Sequence, residues 1–360
     1  MACSAYRDTL PVKRLRRSLS QGVLTVVRMA EVAGLAGVST STVSHVLNGT
    51  RRVLPDTEAA VRAAIESTGY IHDTIARSMV TRGTMTVGVA MSAISNPYFA
   101  DFLHSIERAL TLSGYSLLLA ETHDNSHEEQ QAVASLLSRR VDAVILAPSD
   151  DPSRALASAA RAKVPVVLID RVINAPLDQV GCYNAAPAAQ LVDHLAGGGH
   201  RQIAMIAGRR HLATTEERIV GYKRGLRRCG LRFDPEILLC GDGSAVEAER
   251  AVWKLLDLED RPSALIVGNN LMTVGVMAGL RAAEVEVPRD LALVSFDDFA
   301  WADLFHPRLT TVAQPTQQMG KRAVAMLLAR LADPERPLRK VRLKPTFVHR
   351  DSCGCAAAAR

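Results

Sequence analysis

Residues 39–48 read Ser-Thr-Ser-Thr-Val-Ser-His-Val-Leu-Asn. Wound into a helix, this segment puts Val43, Val46 and Leu47 on one face at i, i+3, i+4. Thr40, Ser41, Ser44 and His45 fall on the opposite face. Short hydroxyls and an imidazole are sized to exchange hydrogen bonds with base edges in a duplex groove. Ser39, Thr42 and Ser44, near the helix start, suit phosphate oxygens. Reactive constellations are missing from the chain: it has no GxSxG, no HExxH and no GxGxxG opening a helix. Gly197–Gly199 precede His200 between a helix and a strand, the wrong setting for a phosphate loop. His123 and His127 stand four apart but flank a loop at a strand end. Cys353 and Cys355 lie near the end of the chain and are read as thiols without a metal partner. The expectation is no catalytic residue, no metal site and no cofactor.

The polar-faced helix needs a support. Val32, Ala33 and Ala36 line one face of a preceding short helix. Gly37 supplies a left-handed turn, and Ser39 can cap the second helix. A third helix over 55–69 adds Val61, Ala64 and Ile65. Two short helices about a glycine turn, the second with a hydrogen-bonding face, predict a helix-turn-helix.

From about residue 84 the pattern changes. Apolar runs at 86–90, 115–120, 143–147, 164–170, 202–207, 264–268 and 291–296 alternate with amphipathic stretches such as 98–113, 128–140 and 153–163. Such alternation predicts βαβ units with parallel strands. That many units exceed one sheet, so two doubly wound lobes are expected, with ligands held at the carboxyl ends of the strands. The divisions are 1–27, a disordered leader; 28–72, the helix-turn-helix; 73–84, a hinge; 85–353, a bilobal core; and 354–360, a tail.

The chain has 360 residues, 48% hydrophobic and 22% charged, which is enough for a large core and too long for one ordinary domain. A net charge of +6 leans toward an anionic partner. Lys13, Arg14, Arg16 and Arg17 crowd in the leader with no apolar run behind them, so a secretory signal is not expected. Six cysteines without a CxxC pair fit reduced thiols in the cytoplasm. Collagen, a membrane channel and a small disulfide scaffold are excluded. An enzyme lacks its motifs, and a periplasmic solute-binding protein would need a signal sequence and no helix-turn-helix.

The stretch VAGLAGVSTSTVSHVLNG at 32–49 resembles the lactose-repressor/galactose-repressor (LacI/GalR) family of bacterial regulators, close to its purine-repressor branch. The likeness continues through GYIHDTIARSM at 69–79, NPYF at 96–99, RRVDAVIL at 139–146, VPVVLIDR at 164–171, GHRQIAMIAG at 199–208, RIVGY at 218–222, VPRDLALVSFDD at 287–298, LTTVAQP at 309–315 and HRDSCG at 349–354. The resemblance implies a transcriptional regulator, most simply a repressor, acting as a homodimer on a near-palindromic double-stranded operator. Thr40, Ser41 and His45 fall at base-reading positions. Ser39, Thr42, Ser44, Asn48 and Tyr70 are assigned to phosphates, and Arg28 can meet one as a charge. Ala76, Arg77 and Met79 fall on a hinge helix in the minor groove, with Met79 at the wedge position where Leu is usual. Three departures stand out. His72 replaces the usual proline before the hinge, Leu54 a capping serine, and Arg28 a threonine.

The same resemblance implies a small-molecule effector between the lobes, held by Asn96, Tyr98, Phe99, Asp124, Arg218, Asn269 and Asp297. Leu212 and Gly243 stand where the purine branch carries Arg and Phe, and Tyr183-Asn184 where Asp-Asn is common. A sugar or sugar derivative is the default effector.

Overall fold

The computed structural model describes residues 27–48, 51–70, 83–92 and 96–355. The basic leader and the hinge residues Ala76, Arg77 and Met79 lie outside the described residues, as does the side chain of Asn48. The chain divides into two compact units, Met1–Val80 and Thr81–Arg360.

The first unit holds helices α1 (Met29–Leu35), α2 (Thr40–Asn48) and α3 (Pro55–Thr68). Val32, Ala33, Val43, Val61 and Ala64 form its core, with Ala36, Val46, Leu47, Ile65 and Tyr70 packed against it. Gly37 has φ 64°, the left-handed conformation that lets α1 turn into α2 at no steric cost. The Ser39 Oγ accepts from the Thr42 N–H at 3.2 Å and so caps α2. Leu54 offers α3 no side-chain cap. The helix starts instead with Pro55 in its first turn and ends at Gly69, φ 63°.

The second unit is two six-stranded, mostly parallel sheets. The first sheet contains β1 (Thr86–Met91), β2 (Ser116–Glu121), β3 (Ala143–Leu146), β4 (Val166–Asp170), β5 (Asp178–Cys182) and β11 (Lys340–Leu343), in the order β11-β5-β4-β3-β1-β2. The second contains β6 (Ile203–Ala207), β7 (Leu238–Cys240), β8 (Ala264–Val267), β9 (Ala292–Phe296), β10 (Thr310–Ala313) and β12 (Thr346–Val348), in the order β12-β10-β9-β8-β6-β7. Only β12 pairs antiparallel. Central strands such as β3, β4, β6 and β8 are buried along their whole length, because helices cover both faces.

The helices of this unit are α4 (Pro97–Leu112), α5 (Ser126–Ser138), α6 (Ser153–Arg161), α7 (Ala185–Gly197), α8 (Ala213–Arg228), α9 (Ala245–Leu256), α10 (Asn270–Ala282) and α11 (Thr316–Ala332). Met319, Ala323, Val324 and Leu327 of α11 join Phe102 and Ile106 of α4 in the first lobe's core. The chain therefore passes from one sheet to the other after β5, again after β10, and back after β11. The seven apolar runs of the sequence all become strands. β5, β7, β10, β11 and β12 are additional, because they are short or carry polar residues that break the apolar run, as in Asp178-Gln179-Val180-Gly181-Cys182.

Candidate functional site

In the first unit, Thr40 and Ser41 are exposed at the start of α2, and Thr42, Ser44 and His45 are half-buried. The Ser39 hydroxyl lies 2.7 Å from that of Ser41 and 2.9 Å from that of Thr42, forming a small hydroxyl cluster at the N-terminus of α2. Hydroxyls gathered at a helix N-terminus suit phosphate oxygens. Arg28 is exposed, and its N–H donates to Glu31 at 3.3 Å. Tyr70 is half-buried against the helical core, so its ring also supports the fold.

In the second unit, Asn96, Tyr98, Phe99, Asp124, Arg218, Asn269 and Asp297 all line one cavity of about 590 Å³. Four come from the first lobe and three from the second. All but Arg218 sit just beyond a strand or at the helix start that follows it, and Arg218 lies in the second turn of α8. Strand carboxyl ends are where parallel α/β sheets present ligand groups, because the chain turns there and backbone groups are free. Asn96 caps α4 by accepting from Tyr98 N–H at 3.0 Å. Asn269 likewise caps α10, accepting from Met272 N–H at 2.7 Å. In both, the Oδ1 is committed to the helix, which leaves the side-chain NH₂ to donate.

Buried ion pairs build the walls. Tyr98 donates to Asp170 at 2.6 Å. Arg171 donates to Asp124 at 2.6 Å and to the Pro148 carbonyl at 2.8 Å. Its Nε lies 3.6 Å from Asp170 and, among the described residues, has no hydrogen-bond partner. Arg218 donates to Asn184 at 3.0 Å, lies 3.5 Å from Asp297, and stands over the Phe296 ring at 4.2 Å from its centroid. Asp297 also accepts from Gln314 at 2.6 Å. Burial pushes the Asp297 carboxyl up, and Arg218 pulls it back down without cancelling that effect. Burial and the neighbouring Asp170 hold the Tyr98 hydroxyl well above its ordinary range, so it remains a neutral donor. His123, Asp124, Asp170, Asp242 and Asp297, all on the cavity wall, take φ between 48° and 69°. Strained backbone of this kind concentrates at binding sites, where the surrounding structure enforces it.

Arginines bridge the lobes. Arg209, beyond β6, pairs with Asp242 at 3.0 Å and donates to the Asp124 carbonyl, beyond β2, at 3.1 Å. Near the crossovers, Arg342 of β11 makes a two-pronged pair with Glu217 of α8 at 2.6 and 2.8 Å. Asp170, Arg171, Arg209 and Asp242 were not among the expected site residues. The only sequence signal for the first two was the LIDR end of an apolar run. Nothing marked Arg209 and Asp242, which meet the cleft only through sheet order. Leu212 stands at the N-cap position of α8, with no side-chain hydrogen bond to the helix, and lines the cavity.

Behind this wall Glu129 of α5 is fully buried and accepts from the Ser149 N–H and, at 3.0 Å, from the Ser149 hydroxyl. Burial pushes its carboxyl up to about 7, against the lowering effect of those bonds and of Arg171. A carboxyl with a raised folded-state pKa contributes stability below its unfolded value, and that contribution is lost as pH rises through about 7. Glu129→Gln keeps an acceptor for the N–H and can donate to the hydroxyl. The variant is expected to gain on the order of 3 kcal/mol over the parent at pH 8, with the gain fading toward pH 4. Urea denaturation of both proteins across that range checks it, and parallel pH profiles would refute it.

Residues 28–73 match the family model for bacterial regulatory proteins of the lacI family, and residues 192–353 match that for a periplasmic binding protein-like domain. The HTH-type transcriptional repressor PurR of Aliivibrio fischeri (strain ATCC 700601 / ES114) is 33% identical over 326 residues, which cover 89% of this chain and 97% of that relative. The ribose operon repressor of Escherichia coli (strain K12) is 32% identical over 327 residues, 90% of this chain and 99% of the repressor. Among solved structures, the lac repressor dimer bound to operator and the anti-inducer ONPF is similar at a TM-score of 0.81 and 26% identity, covering 91% of this chain and 99% of that one. The transcriptional regulator CelR in complex with cellobiose gives 0.70 at 29% identity, with the same coverage. A helix-turn-helix that matches the lacI family model, a strand-end cavity in the second unit, and identity above 30% along nearly the full length of such repressors together place this chain in the LacI family of DNA-binding transcriptional regulators.

Proposed function

We propose that this protein is an effector-controlled repressor that binds a near-palindromic operator as a cytoplasmic homodimer. A neutral sugar or sugar derivative in the interlobe cavity sets its affinity for DNA. The observation that carries the effector reading is the pairing of charges in that cavity. Arg171, Arg209 and Arg218 are each matched by a carboxylate at 4 Å or less. A wall whose cations are already paired has little attraction for a phosphate. It does offer alternating donors and acceptors to ring hydroxyls, among them the side-chain NH₂ groups of Asn96 and Asn269, whose Oδ1 atoms are committed to helix caps. Coupling to DNA follows from linkage: a ligand that prefers one arrangement of the lobes shifts the protein toward it, and DNA affinity shifts with it. Ala76, Arg77 and Met79 are assigned to the hinge that reads the minor groove.

The first test is a thermal-shift screen of the full chain against sugars, nucleosides and sugar phosphates, since any binder of the folded state stabilises it by mass action. The best binder is then added to the protein on an operator selected from random duplexes. A neutral sugar that raises the melting point and changes operator affinity is expected. Stabilisation by a nucleoside or sugar phosphate alone would remove the sugar assignment, and no preference for any duplex sequence would remove the whole reading. His45→Ala is expected to relax preference at one base position per half-site, by roughly 1–3 kcal/mol. Equal weakening on selected and random DNA would show that His45 reads no base.

A further inference from the structure

At the other end of α7 from the cleft, the fold gathers four metal-binding side chains. His194 lies in the last turn of α7. His349 follows β12 directly, and Cys353 and Cys355 lie just beyond it. One donor atom from each residue lies within 4.8 Å of every other. The His349 Nε2 is 3.1 Å from the Cys353 Sγ, and the His194 Nε2 is 3.4 Å from the Cys355 Sγ. Ordinary zinc–sulfur and zinc–nitrogen bonds in a tetrahedron put the donors about 3.3–3.8 Å apart. Two edges are therefore near those lengths already, and the remaining ones need only small side-chain movements.

The backbone fixes this geometry. Ser352 donates to the Leu293 carbonyl at 2.6 Å and accepts from the Thr310 N–H at 2.8 Å, while Arg308 holds Asp351 with two bonds. Gly354, at φ 70°, turns the chain so that both cysteine sulfurs approach the histidines. Cys355 packs against the helix end at Gly198, where a Cβ would lie 3.4 Å from its Sγ, at ordinary contact distance. The His194 and His349 rings meet edge to face at 5.1 Å. Two thiolates and two imidazoles form a borderline-soft set that selects zinc(II) over magnesium or calcium. The site is remote from the cleft, since His194 stands about 15 Å along α7 from Asn184 at the rise of an α-helix.

We propose that His194, His349, Cys353 and Cys355 form a tetrahedral zinc(II) site that ties the C-terminal segment to the end of α7. The local sequence around Cys353 and Cys355 offers His349 as their one nearby nitrogen ligand. His194 lies 161 positions from Cys355 in the chain, and only the second sheet brings the two together. This inference is independent of the effector and the operator.

The experiment uses the untagged full chain, kept reduced, loaded with zinc sulfate and then desalted. About one zinc per chain is expected by elemental analysis. With cobalt(II) chloride in place of zinc, an intense tetrahedral visible spectrum with a thiolate charge-transfer band is expected. Cys353→Ser/Cys355→Ser should lose both signals, His349→Ala should weaken zinc retention at least tenfold, and Cys240→Ser should change neither. Should the double variant fail to fold, alkylation mapping on the parent protein decides: zinc should protect Cys353 and Cys355 but leave Cys240 reactive. Zinc retained equally by the double variant, or no protection and no cobalt–thiolate band in the parent, would overturn the assignment.

Discussion

Arg218→Met is expected to weaken binding of the cleft ligand about a hundredfold or more and to destabilise the core, more strongly at pH 8 than at pH 5. Arg218 and Asp297 are both almost fully buried, with side chains 8% and 5% exposed. Removing one member of a buried pair leaves the other charge without compensation, which costs about 3–5 kcal/mol. Methionine keeps the packing over the Phe296 ring, so the loss is chiefly electrostatic. The sign of the pH dependence follows from Asp297. Its carboxyl is already pushed up by burial, and Arg218 is the main influence pulling it down. Without Arg218 it rises further. A carboxyl raised in the folded state contributes stability below its unfolded value and loses it as pH climbs through the folded value. The gap between variant and parent must therefore widen from acid to neutral pH. Ligand affinity should fall about a hundredfold or more, equivalent to roughly 2.7 kcal/mol. Urea denaturation at both pH values and titration calorimetry with the sugar found by screening test the two parts. A gap that stayed constant with pH would mean that the pair does not carry the stability assigned to it.

Gly221→Ala is expected to destabilise the second lobe by about 3 kcal/mol or more, the upper range for overpacking a tight interior. A Cβ at Gly221 would stand 2.1 Å from the Ala185 carbonyl oxygen and 2.7 Å from the Ala188 Cβ. The obstacle is backbone, so no rotamer can relieve it and α7 must move away from α8. A fall of roughly 6–12 °C in melting temperature follows for a domain of this size. The movement also reaches the cleft, because α7 starts at Asn184, which accepts from Arg218. Weakened ligand binding should accompany the lower melting point. Gly197→Ala, at the end of α7, is the control, since a Cβ there meets nothing within 4 Å. Comparable losses from both substitutions would show that helix contact is not the cause.

The local chemistry of the chain was open to reading. Gly37, the cap at Ser39 and the stripe of Val43, Val46 and Leu47 follow from rules acting over three or four residues. The buried parallel strands were legible because helices on both faces leave no polar alternation along them. Five of the seven expected cleft residues lie in stretches with a family likeness, NPYF at 96–99, RIVGY at 218–222 and VPRDLALVSFDD at 287–298. Other features depend on pairings between distant segments. β11 joins the first sheet beside β5, 161 positions earlier in register at Leu343 and Cys182. Arg209 and Asp242 meet only because β6 and β7 are neighbours.

The amino-acid order by itself thus determined a helix-turn-helix with a polar face on its second helix and a core of alternating strands and helices, since both rest on contacts within a turn or on continuous apolar burial. The tertiary structure alone decided which side chains share a space. It matched Arg171 to Asp124 and Arg209 to the opposite lobe, and brought His194 to two cysteines at the far end of the chain. The physical reason is that hydrogen bonds, ion pairs and metal coordination depend on distance in space, which sheet order and chain crossovers set and local sequence spacing does not encode.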